Sequence, residues 1–162
     1  MAKTSLGTLD AAFIDAQRAP GALSKSLPMY HHLRATLFER ASRFEPAIAS
    51  YGEALRIDPQ QAESTVNLAP LLGLVVRDSE GLTRLDAVIR DHPRAEGALR
   101  NRALLRLKAG NANGFAADLQ AAQAIFPRAA NAAALAQYWT NRGMGDLGRA
   151  WGDEVGRLEP GR

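Results

Sequence analysis

Pro59, Pro93 and Pro127 stand 34 residues apart, and each closes a short amphipathic stretch: ALRIDP, VIRDHP and AQAIFP. Recurrence at a fixed interval of this length constrains a chain more than any local pattern, because it makes one supersecondary unit the building block of the whole. Such a unit holds a pair of helices and cannot bury its apolar side alone, so neighbouring units must stack. The prolines are also terminators. The residue before each is pushed out of the helical region, so a helix ends at every rung.

Composition is consistent with stacked helices and excludes several other classes. At 162 residues the chain suits one well-buried core rather than two comfortable domains. Only 6% of residues are aromatic and alanine is abundant, which suits closely approaching helices better than a sheet. Twenty basic residues face 17 acidic ones, a net charge of +3 that does not call for nucleic acid. Cysteine is absent, so disulfides, thiol catalysis and cysteine-based zinc sites are excluded. The first residues, MAKTSLGTLDAAFIDAQ, lack the apolar run of a secretory signal, Ala2 excludes myristoylation, and no stretch approaches the ~20 apolar residues of a membrane span. Seventeen of the 20 basic residues are arginine, as in chains from GC-rich genomes. A bacterial, cytoplasmic protein with no membrane partner is the expectation.

The clearest unit is Pro28 to Gln61. Leu33, Leu37 and Phe38 form a helical stripe, Ser42–Arg43–Phe44 makes a turn, and Pro46 sits in the first turn of a second helix, where its missing N–H costs nothing. Ala47, Ile48, Tyr51, Ala54 and Leu55 then repeat the helical spacing up to Asp58–Pro59.

This unit resembles the tetratricopeptide repeat (TPR), with small residues at the helix crossings (Ala35, Ala47, Ala54), bulky ones between them (Phe38, Phe44, Tyr51) and the closing Pro59. His31 and Arg34 stand where the family favours tryptophan and leucine. The resemblance implies an all-α, TPR-type α-solenoid of antiparallel helix pairs. Three clear repeats (about 28–61, 62–95 and 96–128) and a degenerate fourth (129–162) would follow an N-terminal segment, 1–27. In the second unit Pro70 falls inside the first helix and should kink or shorten it. In the third, Phe115 takes a small-residue position. The fourth has its proline one residue early, at Pro160, and carries Gly145, Gly148, Gly152 and Gly156 in its second helix. Each interior glycine costs roughly 1 kcal/mol against alanine, so packing of Leu147, Trp151 and Val155 must hold this least stable element. Ahead of the repeats, Thr8 is placed to cap a short helix, Leu9 to Arg18.

Catalytic chemistry finds little footing. His31 and His32 are adjacent and point about 100° apart on a helix, so they cannot chelate a metal as an i, i+4 pair; His92 reads as a turn residue. No carboxylate pair converges, and the glycines at 110–114 and 143–145 follow no strand. No catalytic residue, metal or cofactor is expected.

The resemblance implies ligand contacts along the first helix of each repeat. In the register of the repeat these are His32, Thr36 and Arg40, then Val66, Asn67 and Leu74, then Arg100, Asn101, Leu104 and Lys108. Asn67 and Asn101 share a register position at which family members bond the backbone of an extended peptide, a task suited to an amide that donates and accepts. The family's lysine–asparagine–arginine clamp for a terminal carboxylate would fall on His32, Thr36, Asn67, Gly97 and Asn101, of which only Asn67 fits, so that mode is rejected. Arg94, Arg100, Arg102, Arg106 and Lys108 face only Glu96 within their own segment. This basic run either steers an acidic partner or is a solvated helix face.

The leading expectation is a non-catalytic protein–protein interaction module that holds a peptide or protein segment in its groove. Three alternatives stay open: a regulatory or docking domain of an enzyme on the same or another chain, a secretion-type TPR chaperone, and self-association through the C-terminal repeat.

Overall fold

The computed structural model describes residues 27–159. The expected helix at Leu9 to Arg18 and the closing Pro160 lie outside the described residues. Among the described residues there are eight helices and no strand: α1 (Pro28–Arg40), α2 (Phe44–Ile57), α3 (Ala62–Leu74), α4 (Asp78–Asp91), α5 (Glu96–Lys108), α6 (Ala112–Ile125), α7 (Ala129–Asn141) and α8 (Gly145–Leu158). None is long and apolar enough to cross a membrane.

The odd-numbered helices all end in the same way. Ser42, Val76, Gly110 and Gly143 have φ of 57°, 60°, 76° and 74°, the left-handed region, directly after α1, α3, α5 and α7. Each sits inside a Schellman motif. Arg43 N–H bonds Phe38 O while Ser42 N–H bonds Glu39 O, at 2.9 Å each. The same pair of bonds recurs from Arg77 to Leu72 and Val76 to Gly73, from Asn111 to Arg106 and Gly110 to Leu107, and from Met144 to Trp139 and Gly143 to Thr140. At the even-numbered helices, Asp58, His92, Phe126 and Glu159 each donate one last helical bond, to Ala54, Val88, Ala122 and Val155. Asp58 and Phe126 then turn extended, as a residue before proline must. Gln61 and Ala95 bond back to Asp58 and His92, so Pro59 and Pro93 occupy the second position of a tight turn.

The described helices fall into two compact units, α1–α3 within Met1–Arg77 and α4–α8 within Asp78–Arg162. In the first, α1 packs on α2 and α2 on α3. The core joins Ala35, Phe38, Ala47, Ile48, Tyr51, Leu55, Leu68, Leu71 and Leu72, with Ala35, Ala47 and Tyr51 fully buried. Phe44, expected among the bulky packing residues, is instead exposed at the start of α2. Pro70 neither starts nor ends a helix: α3 runs through it, with the ring on the exposed side.

In the second unit each helix from α4 to α8 packs on the next in sequence. One core there is built on Ala103, Phe115, Ala116, Leu119 and Leu135, with Tyr138, Trp139 and Trp151 packed against it. Phe115 is buried at its nominally small position, so the third pair of helices tolerates a ring at its crossing. The glycines of α8 are not equivalent. A methyl group on Gly148 would lie 2.3 Å from Thr140 Oγ1 and 3.3 Å from Ala136 O, so α7 and α8 approach too closely there for a side chain. Gly152 and Gly156 have no such neighbours. Leu147, expected to help hold α8, is largely exposed, while Trp151 packs inward.

The arginines of α5 are the main departure from the expected surface. Arg102 grips the buried Asp118 of α6 with two parallel bonds, Nε to Oδ2 at 2.8 Å and Nη2 to Oδ1 at 2.6 Å, and reaches Asp86 of α4 with Nη1 at 2.7 Å. Arg106 Nη1 adds a bond to Asp118 Oδ2 at 2.8 Å. Donating to Asp118, against the cost of partial burial, raises the Arg102 pKa further, so its charge is permanent. This cluster ties three helices together. It is neither a solvated face nor a steering patch.

Candidate functional site

Register on α1 and α3 brings the first set of expected contacts onto one side of the first unit. His32, Thr36 and Arg40 are spaced by four residues, as are Val66, Pro70 and Leu74. Only part of this set faces outward. His32, expected to be a groove residue, is 6% exposed, and its Nδ1 lies 2.8 Å from Ser64 Oγ, which itself donates to Gln61. His32 therefore joins α1 to α3 and is corrected to a packing residue. Its ring also meets Tyr51 edge-on at 5.5 Å. Thr36 Oγ1 bonds His32 O at 3.1 Å and lies 3.3 Å from Tyr51 Oη, so its hydroxyl is committed inside the unit.

Tyr51 organises this polar seam. Its hydroxyl donates to Glu39 Oε2 at 2.9 Å and also meets the side chain of Asn67. Burial of the ring, reinforced by Glu39, pushes the phenol up to about 12. The Asn67 amide is thus oriented from below by a buried phenol, with the residue half-buried. Val66 is half-buried beside it. Arg40 and Leu74, the last residues of α1 and α3, are exposed, Leu74 at 61%.

In the second unit, Arg100, Asn101, Leu104 and Lys108 follow i, i+1, i+4, i+8 on α5, and Leu107 continues the same side. Leu104 is 54% exposed and Leu107 48%. Arg100 and Asn101 are half-buried. The charges of this face are already engaged: Arg100 Nη1 bonds Glu96 Oε1 at 3.2 Å, Arg128 Nε bonds the same oxygen at 3.2 Å, and Lys108 Nζ bonds Asp78 Oδ1 at 2.8 Å. The acids that the local sequence lacks come from other helices of the unit.

A cavity of about 430 Å³ opens beside this face, lined by Leu107 of α5, Ala112 and Phe115 of α6, Ala134, Gln137, Tyr138 and Asn141 of α7, and Arg142. Its floor is apolar and its rim carries amides: Gln137 Nε2 donates to Asn141 Oδ1 at 2.6 Å. Tyr138 Oη donates to Asn113 Oδ1 at 3.0 Å, and the Arg142 guanidinium lies 5.0 Å from the centre of the Tyr138 ring. Leu107, Gln137 and Asn141 are legible from the repeat register. Tyr138, Arg142 and Phe115 are not, because they lie beside the register positions or in the turn, and only the packing of α6 against α7 brings them together. Among the described residues no three His, Asp or Glu side chains are placed to hold a metal ion.

No family model matches the sequence, and no curated protein does. Solved structures do. PilF of Pseudomonas aeruginosa superposes with a TM-score of 0.84 at 17% identity, over 99% of this chain and 73% of its own. This is the TPR fold. MamA of Desulfovibrio magneticus RS-1 matches at 0.80 and 14% identity over 96% of this chain and 88% of its own. YrrB, described as a TPR protein with an unusual peptide-binding site, matches at 0.74 and 13% over 98% and 82%. At these identities the likeness establishes the fold, and the expected all-α, TPR-type class holds.

Proposed function

We propose that the chain is a non-catalytic interaction module that binds an extended segment of a protein partner along the first helices of its TPR pairs. The observation that carries this reading is the outward side of α5 and the adjoining cavity. Leu104 and Leu107 stay exposed beside an apolar floor, while Gln137 and Asn141 carry amides at the edge. Apolar surface flanked by a few fixed donors and acceptors is the usual make-up of a recognition cleft. The peptide-binding site reported for YrrB adds support by analogy of fold. On the first unit, taken by itself, Asn67 held by Tyr51 and exposed Leu74 offer contacts of the same kind.

The test is capture from the native organism with crosslinking and mass spectrometry, repeated with the Arg100→Ala/Asn101→Ala double variant. A partner segment crosslinked to α5 and lost in the variant, with helicity unchanged, supports the reading. No partner above background at physiological salt, or one indifferent to the variant, refutes it.

A further inference from the structure

We propose that the cavity between α5, α6 and α7 receives a bulky apolar side chain of the partner segment, and that Arg142 reads an acidic residue next to it. The inference rests on the peptide-binding reading and specifies the chemistry of the peptide.

Two independent features meet at this place. The first is shape. Leu107, Ala112, Phe115 and Ala134 give an apolar floor, and about 430 Å³ falls within the range of pockets that enclose a ligand group. The rim polar groups are largely satisfied among themselves, since Gln137 bonds Asn141 and Tyr138 bonds Asn113. An entering apolar group that rests on the floor breaks neither of these bonds, which keeps its burial favourable.

The second feature is charge. Arg84, Arg90, Arg100, Arg102, Arg106, Lys108, Arg128, Arg149 and Arg157 each have a carboxylate within ion-pair distance. Among the described residues Arg142 has none: the one contact assigned to its guanidinium is the Tyr138 ring, at 5.0 Å. Arg34, Arg40, Arg43 and Arg94 share this lack, but none of them lines the cavity. A guanidinium resting beside an aromatic ring keeps N–H donors in a planar fork for a carboxylate, and a charge-assisted pair next to apolar surface is stronger than one in open water. The acid preference of the module thus passes from Arg100 and Lys108, which Glu96 and Asp78 neutralise, to Arg142.

Peptides selected from a random display library on the full chain, then synthesised with blocked ends, provide the test by fluorescence polarisation. The selected peptides should carry an aromatic residue or leucine beside an aspartate or glutamate. Replacing that acid by its amide and replacing Arg142→Gln should each weaken binding about tenfold, and the two losses should not multiply. Arg142→Glu should reverse the preference toward lysine at the acid's place. Arg142 is exposed and follows the last residue of α7, so neither variant disturbs a core. Peptides that bind the chain but ignore both Arg142 variants overturn this proposal and leave the peptide-binding reading standing. Selection that yields no binding peptide overturns the reading itself, and the proposal with it.

Discussion

Val76→Gly should make the protein more stable. Val76 follows the last turn of α3 with φ of 60°, a conformation in which a β-branched side chain crowds its own backbone. Holding a non-glycine residue there costs roughly 1–2 kcal/mol. Little offsets the strain, because the side chain is 81% exposed and contributes almost no burial. Glycine removes the strain but loses more freedom on folding, about 0.5–1 kcal/mol. The net expectation is a gain of about 0.5–1 kcal/mol, or roughly 1–4 °C in Tm for a chain of this size. Val76→Asn should gain a similar amount, since asparagine tolerates the left-handed region without glycine's entropy. Val76→Ala is the control: it deletes the exposed apolar atoms and keeps the unfavourable φ. Thermal melts by circular dichroism, with urea midpoints as a second measure, decide the matter. If alanine raises Tm as much as glycine, or glycine lowers it, strain at this φ is not the cause. The reciprocal change, Gly110→Val at φ 76°, should cost at least what Val76→Gly gains.

The other expectations concern the core and the polar seams. Asp118→Ala strips a common acceptor from the two partly buried guanidiniums of Arg102 and Arg106 and should cost about 3–5 kcal/mol in urea unfolding; a loss below 1 kcal/mol would mean the cluster is incidental. Gly148→Ala forces a methyl group against Thr140 and the Ala136 carbonyl and should destabilise by about 1–3 kcal/mol, partly rescued by Thr140→Ala, whereas Gly152→Ala and Gly156→Ala should each stabilise by about 0.5–1 kcal/mol. Equal effects at all three glycines would refute the close approach of α7 and α8. Tyr51 ionises near 10 when unfolded and near 12 when folded, so the unfolded chain releases its proton first and stability falls as pH rises between these values, by up to about 1.4 kcal/mol per pH unit. Tyr51→Phe should remove this alkaline loss; an unchanged slope would assign the loss elsewhere.

What could be read from the sequence was whatever is written locally and at a fixed interval. The proline rungs give the ends of α2, α4 and α6, and the small residues Ala35, Ala47 and Ala54 mark buried helix crossings. Exposure of Leu74 and Leu104 also follows from register. What escaped depends on partners distant in sequence. His32 looks like a groove residue until Ser64, 32 residues later, accepts it into the packing. Arg102 and Arg106 look like surface charge until Asp86 and Asp118 arrive from neighbouring helices. Arg142 gains its setting only because α6 and α7 fold Phe115 and Tyr138 together beneath it.

The left-handed residues after α1, α3, α5 and α7 have a consequence for how such a chain stays itself while its letters drift. Serine, valine and two glycines occupy the four places, so the amino acid has no fixed identity there, yet the torsion and its pair of closing bonds are reproduced each time. Punctuation of this kind is stored in the backbone, and a side chain that fits it badly costs stability without erasing the turn. A molecule punctuated in that way can match no family model by its spelling and still share its fold with proteins to which it is identical at fewer than one residue in five.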